Sequence, residues 1–366
     1  MHLSFYREFR PKTFDQVIGQ PHIVSALRNQ VESGQIGHAY LFTGTRGTGK
    51  TSCAKIFAKA INCENLQKGS PCGKCATCVA LDQPNNVDVL EIDAASNNGV
   101  DEIRALREKV KYPPVHGKYK VYIIDEVHML TDSAFNALLK TLEEPPTHAV
   151  FILATTEVYK LPATILSRCM RFDFRLVSKL DLEKQVRYVF DQSGIIADDK
   201  SVEAIAIAGE GSVRDTLSVA DCVVAFGGKE ITIDKTLQIL GTSDLDTTIN
   251  LARAILNKDL GEVLSTINEV CLSGKNLGAF GKEMTVLFKN LIVLKSCKNA
   301  KEILAVPQDI YEKLQDLSQK ADTTTLLSFM QKFSSVESEL KYAISPRTLI
   351  ELTSLECASL DDVKKN

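Results

Sequence analysis

Gly44-Thr45-Arg46-Gly47-Thr48-Gly49-Lys50-Thr51 decides how the chain reads. These residues fit G-x-x-x-x-G-K-[ST], the loop that cradles phosphate. Ala39-Tyr40-Leu41-Phe42-Thr43, just before them, is a short apolar run expected as a buried strand. Ser52 to Ile61, just after them, carries Ala54, Ile56, Phe57, Ala58 and Ile61 and is expected as a helix. Strand, glycine turn and helix together are the context that separates the motif from a chance glycine-rich turn. The glycines let backbone N–H groups close around an anion, and the helix N-terminus adds a partial positive charge. In that geometry Lys50 reaches the β- and γ-phosphates and the Thr51 hydroxyl ligates Mg²⁺. The motif says that a nucleotide binds, and the rest of the chain must say what it drives.

Val121-Tyr122-Ile123-Ile124-Asp125-Glu126-Val127-His128 reads as a strand running into two carboxylates. Ligands of open α/β sheets bind outside that end of the strands. Asp125 is expected to hold Mg²⁺, through a water, opposite Thr51. Glu126 is expected to polarise the water that attacks the γ-phosphate. A surface turn is the plain alternative for an Asp-Glu pair, and the apolar strand leading into it argues against that. His128 reads as structural. Ala149 to Ala154 is a further strand, ending in Thr155-Thr156-Glu157, where a hydroxyl can sense the γ-phosphate. Thr131 can cap the helix between these strands, which stops before Pro145-Pro146. Val87 to Asp93 and Arg171 to Leu176 complete five strands.

Upstream, Tyr6 to Gln20 mixes basic and aromatic residues. It is either an arm packed on the core or a wall for the adenine base, with Val17 and Ile18 as apolar contacts. Pro21 opens a helix through Val31, stopped near Gly34. After the phosphate-loop helix comes Cys63-x8-Cys72-x2-Cys75-x2-Cys78. Four thiolates in a short loop can close a tetrahedral structural zinc site, with no position left for substrate. An iron–sulfur cluster is the rival, but its ligand run carries a further cysteine followed by proline. Here Cys78 precedes Val79, and the fourth cysteine lies upstream. The basic residues Arg104, Arg107, Lys109 and Lys111 lie on a helix from Asp101 to Val110, a pattern common on solvated faces.

From Ser178 the apolar spacing turns helical, over Leu182 to Phe190, Val202 to Ala208 and Ser212 to Phe226. Ser212 and Asp215 have the form of a capping box. That places Arg214 in a helix's first turn, where a cation points to an outside anion or is simply solvated. From Thr242 the chain is helical to its end and carries 15 Lys/Arg against 17 Asp/Glu, a net of −2, which excludes a generic polyanion binder. Leu287, Leu291 and Leu294 form an apolar stripe suited to helix packing or oligomer contacts. The whole chain has 366 residues, a net charge of −3 and 44% hydrophobic residues. It is globular, long enough for two or three cores, and must meet any nucleic acid through a local surface. No signal-peptide shape and no membrane-length apolar run stand in it, so a cytoplasmic location is expected. Ten cysteines there point to metal or core thiols rather than disulfides.

Together these residues resemble the clamp-loader ATPases of bacterial DNA polymerase III, the gamma/tau family within AAA+ proteins. The likeness rests on Tyr6-Arg7-x-x-Arg10-Pro11-x-x-Phe14, Val17-Ile18-Gly19-Gln20, the phosphate loop, the cysteine module, Asp125 to Leu130, Leu138 to Pro146, Ala154-Thr155-Thr156 and Ser167-Arg168-Cys169. The rivals are a non-hydrolysing subunit of the same loader, an AAA+ DNA translocase and a nucleotide-gated switch. The resemblance implies an α/β P-loop domain with a parallel five-stranded sheet over 1–177, carrying the zinc module at 63–78. A helical lid over 178–241 and a helical collar over 242–366 follow. It implies ATP, Mg²⁺ and Zn²⁺, a ring of five subunits, a sliding clamp, primer–template DNA, the polymerase holoenzyme and no membrane. Arg168 resembles an arginine finger acting on a neighbour's ATP, Thr156 a first sensor and Arg214 a second. Arg104, Lys140, Lys160 and Thr164 become candidates for a DNA-facing surface, met without sequence readout. Ser96-Asn97-Asn98-Gly99 lacks the basic residues that relatives can carry there.

Overall fold

A computed structural model describes residues 3–359, apart from 84, 241–244, 275, 298, 305–307 and 341. The polar ending Asp361 to Asn366 lies outside the described residues. The chain forms two compact units, Met1–Leu240 and Gly241–Asn366.

The first unit opens with α1 (Phe5–Glu8) and α2 (Pro21–Ser33), which Gly34 ends in the left-handed conformation. Then follow β1 (Ala39–Thr43), α3 (Lys50–Ala60), α4 (Ala76–Leu81), β2 (Val89–Asp93) and α5 (Val100–Val110). Next come β3 (Lys120–Asp125), α6 (Asp132–Glu143), β4 (Ala149–Thr155), α7 (Ala163–Leu166) and β5 (Met170–Asp173). The five strands make one sheet, every pair parallel, in the order β2-β3-β4-β1-β5. Each strand in the middle is apolar on both sides because both faces are covered. Tyr40, Phe42 and Ile123 pack with Leu27, Phe57 and Phe14 on one face. Leu41, Tyr122 and Phe151 pack with Ile103, Leu106 and Leu138 on the other. The register sets Thr43 beside Thr155 and Asp93 beside Asp125. The carboxyl ends of β1, β3 and β4 therefore open together.

The strand expected to run from Val121 to His128 stops at Asp125. Glu126 turns left-handed at φ 47°, and Val127–Met129 is a 3₁₀ turn. Thr131 caps α6 as expected, accepting the Ala134 N–H.

The rest of this unit is α8 (Lys179–Ser193), β6 (Ile196–Ala197), α9 (Asp199–Ala208), α10 (Val213–Gly227), β7 (Glu230–Ile231) and α11 (Ile233–Leu240). Val186, Phe190, Ile205, Leu217 and Val223 form its helical core. Phe5 of α1 is buried in that core, and its N–H donates to Asp221 at 2.6 Å. Phe14 lies in the sheet's core. The N-terminal arm therefore ties the helical part to the sheet.

The second unit is all helix: α12 (Leu245–Leu256), α13 (Leu260–Leu272), α14 (Leu277–Ser296), α15 (Ala300–Leu304), α16 (Gln308–Gln319), α17 (Thr323–Leu340) and α18 (Pro346–Ser359). Leu287 and Leu291 of α14 are buried, Leu294 packs beside them, and Phe288 meets Phe329 and Phe333 of α17. That apolar stripe serves helix packing. Among the described residues no helix is long and apolar enough to cross a membrane.

Candidate active site

Gly44 leaves β1 at φ 139°, and a Cβ there would meet the Phe174 carbonyl oxygen at 2.3 Å. Only glycine allows that approach. The Gly44 N–H donates to the Thr155 carbonyl at 3.3 Å, which pins the loop to the end of β4. Gly49 then caps α3. Lys50 begins that helix, is buried, and donates from Nζ to the Gly44 and Thr45 carbonyls at 2.8 Å each. Burial pushes its pKa down, and the Glu126 and Asp125 carboxylates offset part of that. The ammonium thus spans the loop that would enclose phosphate.

The Thr51 hydroxyl donates to Asp125 Oδ2 at 2.7 Å. Thr51 and Asp125 form a compact oxygen pair, the donor chemistry Mg²⁺ takes. The Thr156 hydroxyl donates to Glu126 Oε2 at 3.1 Å. Thr51 of the loop thus meets Asp125, and Thr156 meets Glu126. A cavity of about 580 Å³ opens on the loop and the acid pair. Its walls include Val17, Ile18, Arg46 through Thr51, Asp125, Glu126 and Arg214. Tyr6, Arg7 and Arg10 line it too, so the N-terminal arm is both packed on the core and a wall of the cavity.

The helical part reaches this loop directly. Ser212 caps α10, accepting the Asp215 N–H, and the Val213 N–H donates to the Gly47 carbonyl at 3.1 Å. Arg214 sits in the first turn with its guanidinium 5.1 Å from the centre of the Tyr6 ring. Gln20, fully buried, donates to the Arg175 carbonyl at 2.6 Å and accepts the Arg175 N–H at 3.1 Å. It clamps the strand-to-helix connection against the arm.

The contacts of two residues were not legible in the sequence. His128 lies against Glu126 and Glu157, and Arg10 donates to Ser52 Oγ at 3.1 Å. Neither has a spacing signal, since both depend on how the chain turns back.

Arg168 does not join this cavity. It sits after α7, donating to Glu143 at 2.7 Å and to the Thr164 carbonyl at 2.8 Å. Arg104, Lys140, Lys160 and Thr164 are all exposed. Arg104 pairs with Asp101 at 3.1 Å, and Lys160 with Glu157 at 2.8 Å.

Cys63, Cys72, Cys75 and Cys78 come together with their sulfurs within 4.8 Å of one another. Around a zinc ion at about 2.3 Å, four sulfurs sit roughly 3.8 Å apart, so a small contraction completes the site. Backbone N–H groups of Lys74 and Cys75 donate to Cys72 Sγ, and the Cys78 N–H donates to Cys75 Sγ. The two donors on Cys72 hold its thiol down to about 6, while burial pushes the Cys63 and Cys78 thiols up. The donor set fits zinc.

The parallel sheet, the phosphate loop, the acid pair and the helical part closing on the loop define an AAA+ P-loop module. The RuvB Holliday junction branch migration motor of Thermotoga maritima shares that fold at TM-score 0.50 and 18% identity, over 68% of this chain and 79% of its own. Residues 19–178 match the family described as DNA polymerase III, delta subunit. Residues 181–229 match the DNA polymerase III clamp loader subunit, ATPase lid domain, and residues 231–366 match DNA polymerase III subunits gamma and tau domain III. DNA polymerase III subunit gamma of Buchnera aphidicola is 35% identical over 96% of this chain and 98% of its own length. The chain belongs to the gamma/tau family of DNA polymerase III subunits. DNA polymerase III subunit tau of Bacillus subtilis is 42% identical over 95% of this chain, which spans 62% of that relative's length.

Proposed function

We propose that this chain is an ATPase subunit of a clamp loader, which spends ATP binding and hydrolysis on opening a sliding clamp and placing it on primer–template DNA. The observation that carries this reading is the convergence of Lys50, the Thr51–Asp125 pair and the Thr156–Glu126 pair beneath Arg214. Lys50 and the loop's backbone N–H groups bind the phosphates, and Val17 and Ile18 face the base. Thr51 and Asp125 would hold Mg²⁺, whose charge offsets that of the β- and γ-phosphates. Glu126 orients and polarises the attacking water, and Thr156 steadies Glu126. Arg214 reports the γ-phosphate to the helical lid through α10.

Arg168 acts in trans, on ATP held by a neighbouring subunit, which fits its place outside this chain's own cavity. A guanidinium delivered there neutralises charge developing on the transferred phosphoryl group. The second unit serves as the collar of a five-subunit ring. The four cysteines hold a structural zinc. Arg104, Lys140, Lys160 and Thr164 meet DNA phosphates without reading sequence. The machine works in the cytoplasm beside the polymerase, and no polymerase chemistry is assigned to this chain.

The test is ATP-dependent deposition of the clamp on primed circular DNA by this chain with its partner subunits. Retention of clamp on the circle with ATP, and its loss in Lys50→Ala, is the expected result. Equal retention without nucleotide contradicts the proposal.

A further inference from the structure

His128 is a buried polar side chain that the phosphate loop does not use; its side chain is only 6% exposed. The 3₁₀ turn Val127–Met129 folds it back beside Glu126. Its Nδ1 lies 3.0 Å from Thr155 Oγ1 and 3.4 Å from Glu126 Oε2. Its Nε2 lies 3.2 Å from Glu157 Oε1. Lys160 and the Tyr159 hydroxyl occupy the other oxygen of Glu157. Thr155 Oγ1 also accepts the Glu157 N–H at 3.0 Å.

These contacts define a consistent run of hydrogen bonds. With a proton on each nitrogen the ring donates Nε2–H to Glu157 and shares Nδ1–H between Thr155 Oγ1 and Glu126 Oε2. Thr155 Oγ1 accepts from Nδ1–H and from the Glu157 N–H. Glu157 thereby fixes the ring's orientation from its far edge. The near edge then stands against Glu126 Oε2, which also takes the Thr156 hydroxyl.

A core histidine satisfied by Thr155 and Glu157 would explain the burial, but not why the near edge faces Glu126. Glu126 sits at φ 47° and ψ 44°, a backbone state that a residue keeps only when its surroundings hold it. A carboxylate on such a turn needs lateral support to keep one orientation toward the cavity.

We propose that His128 is a positioning residue for Glu126, anchored by Glu157, and that it fixes the carboxylate orientation from which water is polarised. His128 is absent from the cavity wall, so it acts through Glu126 alone. The inference rests on the role proposed above for Glu126.

The test uses the full chain with its partner subunits and reads kcat, KM for ATP and nucleotide affinity separately. His128→Ala is expected to lower kcat by up to about 100-fold, the scale of a misplacement of about 1 Å, with KM and affinity unchanged. His128→Asn can set an amide near the Nδ1 position, beside Thr155 and Glu126, and should return more of kcat than His128→Gln. Glu157→Gln should lower kcat in the wild-type background and add little to His128→Ala, because the two act in one path. Unchanged kcat in His128→Ala overturns the proposal. So does a matched fall in affinity and kcat across all four variants, which is the mark of a merely structural role. If the wild-type complex hydrolyses ATP but ignores clamp and primed DNA, the clamp-loading reading fails while the split between kcat and KM still decides the role of His128.

Discussion

The Val213 N–H donates to the Gly47 carbonyl at 3.1 Å, so α10 begins on the phosphate loop itself. A Cβ on Gly47 would lie 1.9 Å from Ser212 Oγ and 3.2 Å from Arg214 Cβ, at a backbone φ of 77°. Loop and lid helix share one small space. Gly47→Ala should therefore cost about 1–3 kcal/mol through the left-handed backbone, with more from overlap. Thermal melting should show a lower midpoint, and nucleotide affinity should fall because Ser212 and the loop must part. An unchanged melt would mean that the two are not in contact.

Lys50 carries the loop's charge. Lys50→Met removes a buried ammonium that donates to two carbonyls. A hydrogen bond to a charged group is worth about 1.5–3 kcal/mol, so ATP affinity should fall by roughly tenfold to a hundredfold. Titration of a fluorescent ATP analogue measures this. Affinity equal to wild type would move phosphate binding elsewhere.

Thr156 tests the acid differently. Its hydroxyl is one of the two groups beside Glu126 Oε2. Thr156→Ala should leave nucleotide affinity intact and lower kcat by up to about 100-fold, as a misplaced group does. Thr156→Ser, which keeps the hydroxyl, should recover most of it. Equal loss in both variants would point to packing of the Thr156 methyl instead.

These parts were not equally legible in the sequence. The strands show because a sheet covered on both faces needs unbroken apolar runs such as Ala149 to Thr155. The phosphate loop shows because its glycines answer local backbone demands. Cys63 to Cys78 shows because its ligands are close in sequence. The turn at Glu126 left no trace, since Asp-Glu-Val-His has no period and only tertiary packing selects the left-handed state. The arm was ambiguous for a similar reason. Phe5 and Phe14 are both aromatic, yet one enters the helical core and the other the sheet's core.

Arg168 separates stability from activity. It pairs at 2.7 Å with Glu143 while the two side chains stay 33% and 49% exposed. Exposed pairs contribute about 0–1 kcal/mol, so Arg168→Ala should barely change the melt. Hydrolysis by the assembled complex should fall by about 10³–10⁵ if the guanidinium serves a neighbour's ATP. A large loss of stability with full activity would reverse that assignment.

Zinc should act on folding. Chelation, or Cys72→Ser, should lower the melting midpoint and release zinc to a colorimetric dye, because a four-ligand site contributes folding energy outright. Lys50 and Asp125 are not among its ligands, so nucleotide affinity should hold wherever the chain stays folded. A chain that carries no zinc and melts at the same temperature contradicts the metal assignment.

The most direct measurement is steady-state ATP hydrolysis by this chain assembled with its partner subunits, with and without the clamp and primed DNA. Joint stimulation by clamp and primed DNA, abolished by Glu126→Gln and by Arg168→Ala, is the predicted result. Hydrolysis that is indifferent to both would contradict the clamp-loading account and leave only a nucleotide-driven AAA+ module.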